Sequence, residues 1–299
     1  MATESAIVSL PRRSTNGGCL YLVATPIGNL EDISLRALRV LKEADLIACE
    51  DTRETAKLLQ RYGISKRTTS YHEHNEIVRA AELVLDLEQG ARVALVSDAG
   101  TPGISDPGHH LVTLAIRHGV PVVPIPGPTA FSAALAASGL PGDSFHFIGF
   151  LPARRTERRK ALRALARESA TVVFYEAPHR LADSLADMAA ILGNRPAVLA
   201  REVTKLHEEF LRGHLEELTD AVKKRAPRGE FTVLVGPTDQ AARPKPARAS
   251  TSLRARVERL QKNKGLELKA ALKIVARQLG LSRSEAYRRL QEEKALRRG

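Results

Sequence analysis

The sequence predicts an α/β protein made of two α/β lobes, followed by a small helical segment at the C-terminus. Three observations support this fold class. Short apolar runs alternate with polar loops and helical patterns, the character of the sequence changes near residue 128, and a Pro- and Ala-rich stretch precedes a basic tail. A strand–loop–helix repeat is typical of a parallel sheet that is covered by helices.

The first lobe, which we place at residues 19–127, contains five predicted strands that are short and rich in apolar or β-branched residues. Leucines at helical spacing follow the first strand, and Asp32 or Ser34 can cap that helix, over residues 35–43. The predicted strands are residues 20–24, 46–49, 68–71, 93–96 and 120–125.

The second lobe, at residues 128–237, is predicted to hold a second sheet and a basic helix over residues 154–166. Residues 238–251 are rich in Pro and Ala and indicate a linker. The predicted strands of this lobe are residues 145–151, 171–175, 197–200, 210–213 and 231–235.

Residues 252–299 are predicted to form a basic helical domain. An amphipathic helix over residues 268–279 ends at Gly280, and Ser282 is placed to cap a second helix that runs to Glu293. This order is typical of a helix-turn-helix, which either contacts nucleic acid or packs as a plain hairpin.

The charge of the chain is concentrated at its C-terminal end. The formal net charge is +12, and residues 240–299 hold 17 Lys and Arg against 5 Asp and Glu, whereas residues 1–239 hold 29 of each kind. A basic segment attached to a neutral body favours a polyanionic partner, with nucleic acid first. The alternative is a solvated basic helix without a partner.

Several classes of protein are excluded by what the sequence lacks. No apolar run approaches the ~18 residues of a membrane span, and residues 1–18 lack the pattern of a secretory signal, so we expect a disordered tail. Cys19 and Cys49 have no metal-ligand spacing, which favours reduced thiols in a cytoplasmic protein. His72 and His74 lack a third ligand nearby, and no metal is expected.

Polar or Gly- and Pro-rich loops follow all five strands of the first lobe, beginning near Pro26, Glu50, His72, Asp98 and Pro126. Ligands of open α/β sheets bind at the carboxyl ends of the strands, so these loops are expected to meet around one ligand. Glycine lets the backbone approach closely, and backbone N–H and C=O groups can then recognise a flat polar group such as adenine.

Five segments together resemble the tetrapyrrole-methylase family: residues 25–30, 97–108, 126–130, 175–180 and 229–232. The resemblance covers residues 19–236 and is closest to the branch that methylates a cytidine ribose 2′-hydroxyl in the decoding region of 16S rRNA. Porphyrin-modifying members usually carry Gly-Gly-Asp-Pro where this chain has Ala99-Gly100-Thr101-Pro102. This departure favours an RNA substrate over a tetrapyrrole.

The resemblance implies two α/β lobes of the tetrapyrrole-methylase type, with S-adenosylmethionine held in the cleft between them, and usually a homodimer. It also implies which residues contact the cofactor. By position, these are Pro26, Gly28, Asp98, Ala99, Gly100, Thr101, Ile104, Ser105, Asp106, Thr129, Ala130, Tyr175 and Glu176.

Methyl transfer to a ribose hydroxyl requires a well-placed oxygen that can lose its proton. The two charged loops after the second and third strands supply candidates. We expect Glu50 or Asp51, or else His74, to orient or deprotonate the hydroxyl. Arg53 would hold a phosphate and Asn75 would contact the nucleotide. For each residue the alternative is a helix cap or a surface salt bridge.

Recognition of the small ribosomal subunit is expected to combine the neutral body with the basic tail, since Lys and Arg provide affinity for phosphate and the 2′-hydroxyl distinguishes RNA from DNA. Two other functions stay open: a methylase of a small tetrapyrrole, and a non-catalytic nucleic-acid-binding sensor of S-adenosylmethionine. The second would leave the charged loops unexplained. The expected RNA contacts are Lys205, Arg283, Arg288 and Arg289.

Overall fold

The computed structural model describes residues 17–224, 227–238, 253–264, 267–278, 281 and 283–295. It divides into two compact units, Met1–Thr238 and Asp239–Gly299. Most of the predicted N-terminal tail and linker, together with Gly280 and the cap at Ser282, lie outside the described residues. Within the described part, no helix has both the length and the apolar character needed to span a membrane.

The first sheet is entirely parallel and has the strand order β3-β2-β4-β1-β5. The predicted parallel sheet is therefore confirmed, and the carboxyl ends of all five strands meet at one edge. Its strands are β1 (Cys19–Val23), β2 (Leu46–Cys49), β3 (Thr68–Ser70), β4 (Arg92–Val96) and β5 (Val122–Ile125).

Helices cover both faces of this sheet because successive residues of a strand point to opposite sides. On β4, Ala94 and Val96 pack in one apolar cluster, while Val93 and Leu95 pack in another. Ser34 caps the first helix, its hydroxyl accepting from the Ala37 N–H at 3.1 Å. A 3₁₀ turn, Leu30–Asp32, precedes α1 (Leu35–Glu43), α2 (Thr52–Arg61), α3 (Glu76–Glu88), α4 (His109–Arg117) and α5 (Ala130–Ser138).

The second sheet is mixed and has the order β6-β7-β10-β8-β9. β6 is parallel to β7, and the other neighbours are antiparallel. The start of β10 therefore lies at the edge where β7 and β8 end. The strands are β6 (Phe145–Phe150), β7 (Thr171–Glu176), β8 (Pro196–Arg201), β9 (Glu209–His214) and β10 (Phe231–Val235).

Three helices pack on this sheet: α6 (Arg155–Ala164), α7 (Pro178–Leu192) and α8 (Leu215–Lys224). Neither α7 nor α8 is predicted from the sequence pattern. For α7 a signal exists, because Pro178 occupies the first turn, where proline is favoured. Leu181, Leu185, Met188 and Leu192 then follow at helical spacing and are buried in the core.

The C-terminal unit contains three helices, α9 (Leu253–Lys264), α10 (Leu268–Gln278) and α11 (Arg283–Ala295). The predicted pair corresponds to α10 and α11, and α9 adds a helix that the sequence pattern does not predict. Leu253 and Val257 of α9 are buried with Leu272, Val275 and Leu290. This unit therefore has an apolar core of its own.

Candidate functional site

A cleft of about 320 Å³ lies between the two sheets, at the edge where the strands of both lobes present their loops. Its size is at the lower end of the ~300–1,000 Å³ range typical of small-molecule pockets. From the first lobe it is lined by Ile27, Ala99, Gly100, Thr101, Ile104, Ser105, Asp106, Thr129 and Ala130. From the second lobe it is lined by Phe150, Tyr175, Glu176, Ala177, Pro178, Val203, Glu230, Phe231 and Thr232.

The loops after β1 and β4 are joined into one floor of the cleft. The Thr25 N–H donates to the Gly100 carbonyl at 2.8 Å, and the Gly100 N–H donates back to Thr25 at 3.0 Å. Gly100 has φ +89°, a conformation that side chains disfavour. A Cβ there would also lie 3.5 Å from Ile27 Cγ2. Because Gly100 has no side chain, a ligand can approach the backbone at this point of the cleft.

The turn Ile104–Asp106 belongs to the first lobe and contacts the second lobe. Ser105 has φ +63°, which is unusual for a residue with a side chain and marks local backbone strain. Its hydroxyl lies against Gly149 of β6, where an added Cβ would come within 2.9 Å of Ser105 Oγ. The pairing of β6 with β7 shifts register at the same place. The register shift in β6 and the absence of a side chain at Gly149 together leave space for the Ile104–Asp106 turn.

The start of α5 is tied to both lobes. The hydroxyls of Thr101 and Thr129 share a hydrogen bond of 2.8 Å within the first lobe. The Phe131 N–H donates to the Tyr175 hydroxyl of β7 at 3.2 Å. The helix end is thereby fixed beside the cleft that Thr129 and Ala130 line.

The carboxylate of Glu176 binds only groups of the second lobe among its hydrogen-bond and ion-pair partners in the described residues. It accepts hydrogen bonds from the Ser184 hydroxyl and, at 3.0 Å, from the Ala177 N–H. It also forms an ion pair of 3.3 Å with Arg180. Glu176 is buried, and these contacts hold the start of α7 against β7 at the wall of the cleft.

Three carboxylates, Glu50, Asp98 and Asp106, influence one another at the carboxyl edge of the first sheet. Burial raises the pKa of Asp106 to about 6, and the charges of Glu50 and then Asp98 act in the same direction. Burial also raises the pKa of Glu50, with Asp98 next in effect. Like charges in a partly buried site disfavour ionisation, so the group holds protons more tightly than ordinary carboxylates.

Asp51 and Arg53 are paired with each other. Asp51 caps α2 by accepting from the Arg53 N–H at 2.8 Å, and Arg53 Nη2 donates to Asp51 Oδ2 at 2.7 Å. The hydrogen bonds from Arg53 lower the pKa of Asp51 to about 2. Such a carboxylate is a weak proton acceptor, and neither residue lines the cleft.

The segment after β3 is stabilised by Asn75. Its Oδ1 accepts from the His72 N–H at 2.9 Å, and its Nδ2 donates to the Ser70 carbonyl at 3.2 Å. His74 is exposed, with its ring centroid 5.9 Å from that of His72. Neither His74 nor Asn75 lines the cleft. Among the described residues, no group of three or more His, Cys, Asp or Glu could hold a metal ion.

Lys205 spans the two lobes. Its Nζ lies 3.0 Å from both Glu202 Oε1 and Glu230 Oε2. Its stem crosses Gly28, where a Cβ would come within 2.3 Å of Lys205 Cγ. The Asn29 N–H also donates to the Thr204 hydroxyl at 3.2 Å. The predicted phosphate contact at Lys205 therefore competes with two carboxylates that already neutralise the ammonium group.

Most of the predicted cofactor residues line the cleft, whereas Pro26, Gly28 and Asp98 do not. Pro26 is buried beside Ile27, and Asp98 Oδ1 accepts from the Asp51 N–H at 2.9 Å. Sequence reasoning missed eight lining residues: Ile27, Phe150, Ala177, Pro178, Val203, Glu230, Phe231 and Thr232. Phe150 ends β6 and Val203 follows β8, so the carboxyl-end rule applied to the second sheet would have found both.

The predicted RNA contacts of the C-terminal unit lie on α11. Arg288 and Arg289 are exposed, and Arg289 Nη2 lies 3.1 Å from Glu285 Oε1. Arg283 begins the helix, and its side chain lies outside the described residues.

Comparison with solved structures supports the fold. Cobalt precorrin-4 methyltransferase is 21% identical, with a TM-score of 0.57 over 79% of this chain and 100% of that one. Uroporphyrin-III C-methyltransferase from Thermus thermophilus, complexed with S-adenyl homocysteine, is 23% identical, with a TM-score of 0.53 over 73% of this chain and 97% of that one.

Curated relatives named ribosomal RNA small subunit methyltransferase I are much more similar to this chain. The Halalkalibacterium halodurans protein is 56% identical over 73% of this chain and 75% of its own length. The Mesorhizobium japonicum protein is 49% identical over 92% of both chains. The Thermotoga maritima protein is 49% identical over 218 residues, which are 73% of this chain and 98% of that protein.

The family described as Tetrapyrrole (Corrin/Porphyrin) Methylases matches residues 19–219, which include both sheets up to β9 and the first half of α8. The named relatives narrow this assignment within that family. The chain therefore belongs to the tetrapyrrole methylases and, within them, to the ribosomal RNA small subunit methyltransferase I family.

Proposed function

We propose that this protein transfers a methyl group from S-adenosylmethionine to the ribose 2′-hydroxyl of a cytidine in 16S rRNA. The observation that carries the proposal is the cleft between the lobes, built from the strand-end loops of a chain with rRNA methyltransferases as close relatives. The names of these relatives favour RNA over a small tetrapyrrole and an enzyme over a sensor.

The cleft has the volume of a small-molecule pocket, about 320 Å³, and its lining suits S-adenosylmethionine. Ala99, Gly100 and Ala130 are small, so a ligand can approach the backbone of the cleft, and the positive φ of Gly100 favours glycine at that position. Thr101 and Thr129 add hydroxyl groups, while Ile27 and Val203 supply apolar surface. When bound, the cofactor supplies a methyl group already activated by the positive sulfonium.

The protein's own contribution is positioning. Displacement at a methyl carbon is in line, so the acceptor oxygen, the methyl carbon and the leaving sulfur must be collinear. The Ile104–Asp106 turn, the start of α5 and the end of β7 form one hydrogen-bonded and packed wall around the cleft. Such a wall can hold a cofactor at a constant distance from a nucleoside that enters from outside.

We propose that Phe150 stacks against the target base. It lines the cleft, yet its side chain is 55% exposed, and its ring centroid lies 5.6 Å from that of Tyr175. Proteins that read unpaired RNA commonly stack splayed-out bases on aromatic rings. Phe150 sits at the end of β6, where a nucleoside would meet the cofactor cleft.

Phe150→Ala is expected to raise the KM for RNA by about 5- to 150-fold, since stacking on one aromatic ring contributes roughly 1–3 kcal/mol. Steady-state methyl transfer with varied RNA measures this change. Phe150→Tyr should keep most of the affinity. Phe145→Ala is the matched control, because that ring is also exposed but lies at the other end of β6. An unchanged KM in Phe150→Ala would refute the stacking role.

The partner is proposed to be the small ribosomal subunit, engaged through the basic C-terminal unit, and the active form a homodimer. Phosphate affinity follows from the 17 basic residues of residues 240–299. A second copy would find an exposed apolar patch on α3, formed by Ile77, Val78 and Leu85. Exposed apolar patches mark interaction surfaces.

The decisive experiment incubates the protein with methyl-labelled S-adenosylmethionine and small subunits from cells that lack the activity, followed by nucleoside mass spectrometry. We expect labelled 2′-O-methylcytidine. A parallel reaction with naked 16S rRNA tells whether the assembled subunit is needed. Label on a base, or no transfer to either RNA, would refute the proposal, and transfer to a small tetrapyrrole would replace it.

A further inference from the structure

The helix α6 carries a basic surface on a body that is otherwise acidic. Six of the ten residues 154–163 are Lys or Arg and one is acidic, whereas the rest of residues 1–239 holds 23 basic and 28 acidic residues. Three of these arginines follow one another at a spacing of four, so they form one stripe along the helix. We call the solvent-accessible cations of this segment the α6 basic surface: Arg154, Arg155, Arg159, Lys160 and Arg163.

The acid beneath this surface neutralises only part of its charge. Asp187 of α7 is buried and accepts hydrogen bonds from three guanidinium groups, those of Arg155 at 3.4 Å, Arg158 at 2.8 Å and Arg159 at 2.6 Å. One carboxylate therefore faces three positive charges, and positive charge is left over. Because Arg155 and Arg159 bind the same buried group, their side chains are also held in place along one side of the helix.

The placement of these charges is unfavourable for the helix itself. Arg154 and Arg155 stand at the start of α6, where the helix dipole disfavours cations. Like charges four residues apart, as in the stripe Arg155, Arg159 and Arg163, also destabilise a helix. Side chains that cost a helix stability indicate a role outside that helix. A row of arginines suits a row of phosphates, since a guanidinium group can bind a phosphate with two parallel hydrogen bonds.

The α6 basic surface begins close to the cleft. β6 ends at Phe150, which lines the cleft, and α6 starts five residues later. Four residues of extended chain span at most about 14 Å, so the Arg154 backbone lies within that distance of the Phe150 backbone. The connection is tied to α7, because the Leu151 carbonyl accepts from Arg180 Nη2. An RNA strand with a base stacked on Phe150 therefore meets this surface with its neighbouring phosphates.

We propose that the α6 basic surface binds the phosphates of the rRNA strand that flanks the target cytidine. This inference rests on the proposed function. The surface belongs to the same compact unit as the cleft, so its contacts fix the direction in which the strand leaves the cleft. These arginines position the RNA and take no part in the transfer of the methyl group.

The test is a triple variant, Arg154→Gln, Arg155→Gln and Arg163→Gln, in filter binding to small subunits over a range of salt. Its Kd should rise about 10- to 50-fold at ~150 mM salt and its salt slope should fall by about two, since each single-strand phosphate contact contributes about 0.7. The KM for subunits should rise, while the melting temperature and the affinity for S-adenosylhomocysteine stay the same. Lysine at the same three positions should keep most of the affinity, because the charge remains.

The matched control removes three exposed cations at the opposite edge of the first sheet, near the ends of α1 and α4: Arg39→Gln, Lys42→Gln and Arg117→Gln. Its Kd should change less than about threefold, because no phosphate contact is lost. An unchanged Kd in the surface variant, or an equal loss in the control, would overturn the proposal.

A cross-link identifies the partner of the surface. With Lys160 replaced by p-benzoylphenylalanine, irradiation of the complex with small subunits should label 16S rRNA. Label on a ribosomal protein alone would overturn the proposal, because the surface would then face an acidic protein segment. If wild type shows the expected binding and cross-link but transfers no methyl group to RNA, the proposed function fails and the RNA-binding surface stands.

Discussion

Replacing Asp187 with alanine is expected to destabilise the fold by about 3–5 kcal/mol, because it leaves a buried arginine without its partner. Asp187 of α7 accepts from Arg158 Nη2 at 2.8 Å and from Arg159 Nη1 at 2.6 Å. The Arg158 side chain is only 5% exposed. Chemical denaturation of the variant and wild type measures the difference.

The same prediction has a pH signature. Burial would raise the pKa of Asp187, but the hydrogen bonds from Arg159 and Arg158 outweigh it and lower the pKa below its usual range. A lowered pKa stabilises the fold above the unfolded value of about 4. The advantage of wild type over Asp187→Ala should therefore shrink as the pH falls below that value.

Two controls separate the ion pair from a general effect on α7. Asp183→Ala removes an exposed aspartate of the same helix and should change stability by less than about 0.5 kcal/mol. The double variant Arg158→Met, Asp187→Leu should recover most of the loss, since apolar residues can replace a buried pair at little cost. Asp187→Ala with wild-type stability would contradict the argument.

Deleting residues 239–299 is expected to weaken RNA binding about tenfold or more at ~150 mM salt, because counterion release scales with the phosphates that are contacted. The deletion removes 17 basic and 6 acidic residues, which is +11 of the formal net charge of +12. Affinity for S-adenosylmethionine should stay the same, since the cleft lies within residues 27–232. The remaining residues keep the apolar cores of both lobes, so the shortened protein is expected to fold. The Thermotoga maritima relative supports this, because a match of 218 residues already covers 98% of its length.

Filter binding over a range of salt measures both the affinity and its slope against salt. The plot of log affinity against log salt should be flatter for the deletion. In the full chain, Arg288→Gln with Arg289→Gln should give a smaller change of the same sign. Equal affinity and equal slope in the deletion would assign the unit another role.

The alternation of strands and loops in the first lobe is predictable because each strand is short, apolar and followed by helix-compatible spacing. The parallel arrangement follows from strands that are apolar on both faces, whereas the strand order β3-β2-β4-β1-β5 is seen only in the structure. The second lobe is less predictable. Helix α7 begins at Pro178, only two residues after the end of β7, so the sequence pattern does not separate the two elements. The role of Glu176 depends on its hydrogen bond with Ser184 of α7, which is seen only in the structure.

The site was predicted where it depends on backbone loops and missed where it depends on distant pairs. Lys205 meets Glu230, which is 25 residues further along the chain, so its neutralised charge has no local signal. The left-handed backbone of Ser105 is not encoded by a glycine. Asp51 and Arg53 are two residues apart, and that spacing makes a local pair the stronger expectation at a helix start.

The two lobes meet at Gly28 beneath Lys205 and at Gly149 beside Ser105. At both points a hydrogen atom occupies a place where a methyl group would collide, at 2.3 Å and 2.9 Å respectively. The distance between the lobes at these two contacts therefore depends on the absence of a side chain at each glycine. An alanine at either glycine would push the lobes apart. It would therefore change the affinity for the ligand although neither glycine lines the cleft.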